Sequence, residues 1–404
     1  MKPYDVMIVG GGMVGLALAC ALSTRTRLSV VVLEARAPSL PWSDAGTYPR
    51  VSALSLASQR IFQSLGVWEA LQAKRVSPFS QMEVWETPGM NAIQFSANQM
   101  AETALGFIVE NQAMQSALEE KLAQADRVDH FRGVDLVSFK EDQHQVTLSD
   151  ASGRVFQASL AVAADGAHSW LRQQAGIQVD TLSYQQAALV ATVKTALPHQ
   201  RVARQVFLPS GPLAHLPLSD PRTSSIVWSL PTEEASACKD MAIDQFKQQL
   251  AQAFSFRLGE VKAVESRHVF PLYKQQAKQY VLSRVVLVGD AAHTMHPLAG
   301  QGVNMGLLDA ASLSDVMEEA LHRQKAFDAP LTLRRYERWR RADNAGLLAG
   351  VDLIKSVFAS EHETVCRMRG AGLRFVNHFS WLKTCFMRHA VGNRSGLPRL
   401  ARNG

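Results

Sequence analysis

Two short stretches hold the residues whose types and spacing point to chemistry. GDAAHTMHPLAGQGVNMGLLDA, from Gly289 to Ala310, follows the apolar run Val285 to Val288 and carries Asp290, Pro297 and the glycines Gly300, Gly302 and Gly306. An acid at a strand end can meet a hydroxyl, a metal or a base, and glycines ahead of a helix let a ligand approach the backbone. The second stretch, YDVMIVGGGMVGLALACAL, sets Gly10, Gly12 and Gly15 at GxGxxG spacing. Gly10 permits a tight turn, Gly12 leaves room for a pyrophosphate, and Gly15 lets helix and strand pack closely. Glu34 lies 19 residues beyond Gly15, where a dinucleotide fold places its ribose-binding carboxylate. These residues predict a dinucleotide site and leave NAD and FAD open.

The elements that must position these groups are legible around them. Val6 to Val9 is a short apolar run of the kind that forms a buried parallel strand, and LSVVVLEAR supplies the next strand, ending at Glu34. The helix between them offers unpaired N–H groups and a partial positive charge to phosphates. A third strand-turn-helix pattern, LAVAADGAHSWLR, carries Asp165, Gly166, Ser169 and Arg172. After Gly302 a helix is predicted, with Leu313, Val316, Met317, Ala320 and Leu321 on its apolar stripe. Leu347, Val351, Ile354 and Phe358 repeat at 4-3-4 spacing, and a further helix is expected over 363–379.

Bulk properties bound the answer. The chain has 404 residues, more than one core usually accommodates, so two domains are expected. Its 47% hydrophobic and 19% charged residues are an ordinary globular balance. Cys20, Cys238, Cys366 and Cys385 are scattered with no metal-ligand spacing, which fits a reduced, cytoplasmic setting and no metal. Lys2 and the apolar stretch after it loosely imitate a signal peptide, but Asp5 and three consecutive glycines argue against one. No apolar run reaches the roughly 18 residues that span a bilayer.

The net charge of +6 is unevenly placed. From Val365 onward there are eight basic residues and no acid, which leaves 34 basic against 36 acidic residues, or −2, in the remainder. A basic tail interleaved with Phe375, Phe379, Trp381 and Phe386 suggests an anionic membrane surface or an acidic protein partner, or else a solvated helical face; nucleic acid is not expected.

GxGxxG near the N-terminus, a mid-chain DG at Asp165 and a later GD at Asp290, in this order, resemble the class A flavoprotein aromatic hydroxylases related to para-hydroxybenzoate hydroxylase. The resemblance covers roughly residues 4 to 350. It implies FAD, with Asp290 on the ribityl hydroxyls and the backbone N–H groups of Gly302, Val303 and Asn304 on the pyrimidine edge. It also implies Arg50 against the flavin, Gln112 near the FAD phosphates, Val134 at the adenine, and Pro297 lining the flavin face. RVSALSLAS, LGFIVEN, FLPSGPLAHLPL, HPLAGQGVNMGLLDA and the C-terminal GLRFVNHFSWLKTCFMRHAVG narrow it, being similar to the ubiquinone-biosynthesis hydroxylases over nearly the whole chain. That resemblance implies hydroxylation of a prenylated phenol or quinol by O2 through a flavin C4a-hydroperoxide, with NAD(P)H as electron donor and a ubiquinone-biosynthesis complex as an expected partner. Leu213, His215, Trp228 and Phe270 are the candidate pocket residues, and Pro297 and His215 the candidate catalytic ones. His215 stands where relatives often carry an aromatic residue.

The expected fold is therefore α/β: a Rossmann-type FAD-binding domain (1–75, 105–182 and 270–350), an inserted mixed β-sheet substrate domain (76–104 and 183–269), and a helical C-terminal region (351–404). Two other functions stay open, a hydroxylase of a small soluble aromatic or polyketide and a flavin-bearing accessory subunit.

Overall fold

The computed structural model describes residues 3–37, 42–43, 48–86, 92–295, 302–359, 392 and 396–402. Pro297, the helix expected over 363–379 and most of the basic tail lie outside the described residues.

The apolar runs form a parallel sheet, as their burial on both faces requires. Among the described residues its parallel strands lie in the order Val285–Leu287, Val155–Ala163, Tyr4–Val9, Val30–Glu34 and Val128–Arg132. Each strand that carries a candidate ligand ends on the same edge: Val9 before Gly10, Ala163 before Asp165, Leu287 before Asp290, and Glu34 itself. Side chains from Val6 to Val9 are 0–5% exposed.

Helices pack against this sheet and against one another. α1 (Met13–Arg25) follows the first glycine turn and buries everything from Gly15 to Leu22. α2 (Leu56–Ser64), α3 (Trp68–Gln72) and α4 (Asn111–Leu122) surround a small sheet of Val51–Leu54, Gly106–Glu110 and Val76–Phe79. α5 (Trp170–Gln174) follows the DG turn.

A second, mixed sheet forms the other body. Its strands run in the order His293–Thr294, His268–Ala277, Val179–Thr195, Thr223–Pro231, Gly211–Pro217, Val202–Leu208, Gln81–Glu86 and Ala92–Ser96. α6 (Thr232–Asp240) and α7 (Ile243–Ala253) cover one face. The long strands Val179–Thr195 and His268–Ala277 run through the boundaries expected at 182 and 269, and Val76–Phe79 joins the small sheet instead.

α8 (Gly302–His322) and α9 (Pro330–Ala359) complete the chain as described. α8 is buried almost all round from Asn304 to Met317, not only along its expected stripe. The last described residues return to the core of the parallel-sheet domain: Leu397, Leu400 and Ala401 are 4%, 7% and 0% exposed, and Arg399 N–H donates to Asp315 Oδ2 at 2.7 Å. The C-terminal region is thus not wholly separate, since its end is part of the first domain's core. No described helix is long and apolar enough to cross a membrane.

Candidate functional site

The first glycine turn is built by close approach. Gly10 has φ +111°, and a Cβ there would lie 2.3 Å from Ala164 O; a Cβ at Gly15 would lie 2.0 Å from Gly10 O. Neither position accepts a side chain. Gly12 differs, because its hypothetical Cβ meets no protein atom within 4 Å. The open side of Gly12 faces free space, not packing. It caps α1 without a side-chain bond, and no acid stands in the first turn, so the exposed N–H groups keep their attraction for an anion.

Glu34 is aimed at this turn. Its Oε2 accepts Gly11 N–H at 2.6 Å and its Oε1 accepts Arg36 N–H at 2.9 Å. A carboxylate has lone pairs to spare for a ribose. A Cβ on Gly11 would lie 2.9 Å from Glu34 Cβ and 3.1 Å from His130 Nε2. The freely variable position of the motif is therefore tied to glycine here by two neighbours that spacing alone does not reveal.

Val134 is buried beside Glu34 and gives its N–H to Glu34 O at 3.0 Å, so a contact with adenine would use its carbonyl. Gln112 sits in the first turn of α4, but the residue that touches the glycine turn is Gln115, whose Nε2 donates to Gly11 O at 3.1 Å. Gln115 lies three positions on, on the same helix face, which is the signal that would have found it.

The DG and GD turns are clamped together. Arg172, 3% exposed, donates Nη1 to Ala291 O and Nη2 to Ala167 O, both at 2.9 Å. Asp165 Oδ2 accepts Leu171 N–H at 3.2 Å, while its buried Oδ1 has no partner, and burial raises the carboxyl above its usual range.

Asp290 follows Gly289, whose φ of +61° is left-handed. Solvent reaches its side chain, yet the surrounding protein desolvates it enough to raise its pKa, with His293 and Arg50 pulling the other way. Together these describe a group at the floor of a groove. Among the described residues its carboxylate has no hydrogen-bond partner, which leaves it available to hydroxyls. Arg50 is exposed beside it, and its guanidinium carbon lies 5.4 Å from the centre of the Phe270 ring.

α8 begins on the same groove. A Cβ at Gly306 would fall 2.6 Å from Val14 Cγ2 and 3.2 Å from Gly289 Cα, so α1, the GD turn and α8 meet at one point. The N–H groups of Gly302, Val303 and Asn304 lie in the first turn of α8. Asn304 locks this end: its Oδ1 accepts Ser55 N–H at 3.0 Å and Ser58 Oγ–H at 2.7 Å, and its Nδ2 donates to Ala53 O at 2.9 Å. A cradle open at Gly12, a free carboxylate at Asp290 and two helix N-termini on one sheet edge fit FAD, with pyrophosphate at α1, ribityl chain at Asp290 and flavin edge at α8.

The expected pocket needs correction. Trp228 pairs with Leu213 across the second sheet and His215 with Ile226; all belong to the core under α7, where the His215 ring stacks 4.0 Å from Phe254. Phe270 pairs with Ala188, on the opposite face. Strand alternation therefore points Leu213, His215 and Trp228 away from the groove and Phe270 into it. His215 does not reach the reacting region. Burial, with Arg204 adding, pushes its pKa down to about 3. His293 is also buried, against Asp309. A separate cavity of about 460 Å³, lined by Arg75, Glu110, Lys194, Asp220 and Glu265 among others, includes none of the expected site residues.

The sequence profile of the family described as FAD binding domain matches residues 3–347. The chain is 36% identical over 391 residues to 3-demethoxyubiquinol 3-hydroxylase of Escherichia coli (strain K12), covering 97% of this chain and 99% of that one. It is 33% identical over 434 residues to the mitochondrial ubiquinone biosynthesis monooxygenase COQ6 of Homo sapiens, covering 96% and 92%. The crystal structure of p-nitrophenol 4-monooxygenase PnpA from Pseudomonas putida DLL-E4 superposes with a TM-score of 0.78 at 18% identity, covering 98% of this chain and 100% of that one, which speaks to the fold.

Proposed function

The chain belongs to the FAD binding domain family, and on that premise we propose that it hydroxylates the ring of a polyprenylated phenol or quinol in ubiquinone biosynthesis. It is an FAD-dependent aromatic hydroxylase. The overall balance is a ring C–H, O2, NAD(P)H and a proton going to a ring C–OH, water and NAD(P)+. Bound FAD supplies the two-electron redox chemistry and the activation of O2.

The chain's own residues bind, orient and exclude water. Asp290 would accept from ribityl hydroxyls and the first turn of α8 would hold the flavin edge, its positive end favouring negative charge there. Pro297, as a group lining the flavin face, remains part of the proposal. The observation that carries the substrate reading is the sheet face joined to the cofactor groove through Arg50. It presents Phe270 beside Ala188, Val190, Val227 and Leu272. Such a wall suits an aromatic ring with an apolar tail better than a small aromatic acid.

The test is product formation. Purified protein with FAD, NADPH and O2 should convert a demethoxy prenylated quinol to its hydroxylated product, detected by mass spectrometry. Flavin reduction with no hydroxylated product from any prenylated phenol or quinol would defeat the substrate reading.

We also propose that the basic tail brings the protein to an anionic membrane surface, where such substrates reside. Each Lys or Arg near such a surface contributes on the order of 1 kcal/mol. Because Leu397 to Ala401 belong to the core, deleting the tail would damage the fold. Glutamine substitutions at Arg367, Arg369, Arg374 and Lys383 are the better probe. They should abolish low-salt co-sedimentation with anionic vesicles, and unchanged sedimentation would defeat the membrane contact.

A further inference from the structure

The turn that presents Asp290 is held from behind by one buried carboxylate. Asp309, on α8, is 0% exposed. Its Oδ2 accepts Gly289 N–H at 3.0 Å and lies 2.5 Å from His293 Nε2. Its Oδ1 accepts Arg340 Nε–H at 2.7 Å and Asn344 Nδ2–H at 3.4 Å. Residues 289 and 293 bracket Asp290, so a single side chain fixes both ends of the turn. Arg340, 1% exposed, also donates Nη2 to Asn344 Oδ1 and Nη1 to Asp343 Oδ2, each at 2.7 Å. Burial pushes the Asp309 carboxyl up, but its interactions with His293 and Arg340 outweigh this and hold it down at about 2. It is charged throughout the physiological range.

α9 grips the same region at two further points. Tyr336 OH donates to Leu287 O at 2.8 Å, two residues before Gly289. Glu337 Oε1 accepts Tyr280 N–H at 2.7 Å, in the approach to the strand that ends there. Four side chains of one helix, Tyr336, Glu337, Arg340 and Asn344, therefore reach the strand and turn that carry Asp290, directly or through Asp309.

A buried ionic network is a poor device for stability alone, because a well-packed apolar cluster of similar volume serves as well or better. What it does supply is direction. Asp290 has no hydrogen-bond partner among the described residues, so the backbone turn directs its carboxylate, and Asp309 holds that turn at Gly289 and His293 while Arg172 holds it at Ala291. We propose that Asp309 is a positioning residue for the flavin, and that Arg340 and Tyr336 couple FAD binding to the docking of α9. Coupling is reciprocal: if docked α9 favours FAD, bound FAD favours docked α9 by the same factor.

The inference rests on the flavin reading, so FAD affinity of the native protein is measured first by flavin fluorescence. Absence of FAD binding there would defeat the flavin reading itself. Hydrogen exchange of the native protein with and without FAD then tests the coupling. FAD should slow exchange across 336–347 by at least about fivefold, as well as across 285–294. Protection confined to 285–294 would overturn the proposal. The Asp309→Asn, Arg340→Met double variant removes both charges together, so neither is left buried alone. It should fold, bind FAD at least about tenfold more weakly, and lose the FAD-dependent protection of α9. Unchanged FAD affinity in the folded double variant would also overturn the proposal. If the double variant does not fold, the exchange experiment on the native protein decides.

Discussion

Behind the flavin turn, Asp309, Arg340, His293 and Asn344 are buried and joined to one another. On the far face of the second sheet His215 is buried as deeply, at 2% exposure, yet neither ring nitrogen has a hydrogen-bond partner. Trp85 and Trp228 indole nitrogens share that core and that condition. The two regions solve the same desolvation problem differently. Around Asp309 charge is kept and every charge is answered. Around His215 charge is given up, and the imidazole stays neutral. A fully paired buried network holds its members in one arrangement, while an unpaired buried group costs stability and fixes no neighbour by hydrogen bonds.

The contrast breaks most visibly at Arg340. Arg340→Met alone leaves Asp309 buried without its guanidinium partner, and should lower stability in urea unfolding by about 3–5 kcal/mol. A loss near zero would mean that the Asp309 charge is not held by this pair.

Acid separates the two regions by the pH range in which each loses stability. The His215 pKa is lowered in the fold, from an ordinary 6.5 to about 3. The unfolded chain therefore takes up the proton first as pH falls. The proton-linked cost of His215 is absent above pH 6.5, and from there downward it removes stability progressively until about pH 3, by about 3 kcal/mol at pH 4.5. Asp309, already ionised at these pH values, acts only at the lower end of this window. Urea midpoints of the native protein and His215→Phe between pH 7.5 and 4.5 should diverge, and parallel curves would show that His215 is charged or hydrated in the fold.

In front of the Asp309 network the logic turns from fold to ligand. Asp290→Ala removes a charged acceptor from the groove and should weaken FAD binding by about 1.5–3 kcal/mol, roughly 10- to 150-fold, with little change in urea midpoint without FAD. Full flavin retention with an unchanged dissociation constant would displace Asp290 from the ribityl site. The smallest effect is expected from His215→Phe at pH 7.5, where replacing an unpaired imidazole against Phe254 should raise stability by about 1–2 kcal/mol. A loss of catalytic rate in that variant, with FAD affinity intact, would instead restore His215 as a functional residue.

How legible these regions were follows from how local they are. Gly10, Gly12, Gly15 and Glu34 were found by spacing because a strand-turn-helix-strand unit brings them together within 25 consecutive residues of the sequence. Asp165 and Asp290 were found because each follows an apolar strand, and parallel strands of one sheet end on the same edge. Gln115 is not distinguished from Gln112 by the sequence because both occupy one helix face and only packing shows that Gln115 bonds Gly11. Gly11 as an obligatory glycine was missed because His130, from a distant strand, closes that side. Asp309 was missed because an acid inside an apolar helix reads as an interruption until Arg340 is seen beside it.

The pocket shows the limit most clearly. Leu213, His215, Trp228 and Phe270 all sit on apolar strands, and alternation fixes which of them share a face. It does not say which face meets the cofactor. Both faces of the second sheet are apolar, one packed under α6 and α7 and the other turned toward Arg50 and the GD turn. The sequence by itself determined the glycine turns and strand ends to which we assign FAD, because each is written in consecutive residues. The sidedness of the substrate sheet, the Asp309–Arg340 tie between α8 and α9 and the return of Leu397 to Ala401 into the first core were decided by tertiary structure alone. Each of these depends on which of two similar surfaces a distant segment covers, and burying apolar area favours either surface with nearly equal strength until the whole chain has packed.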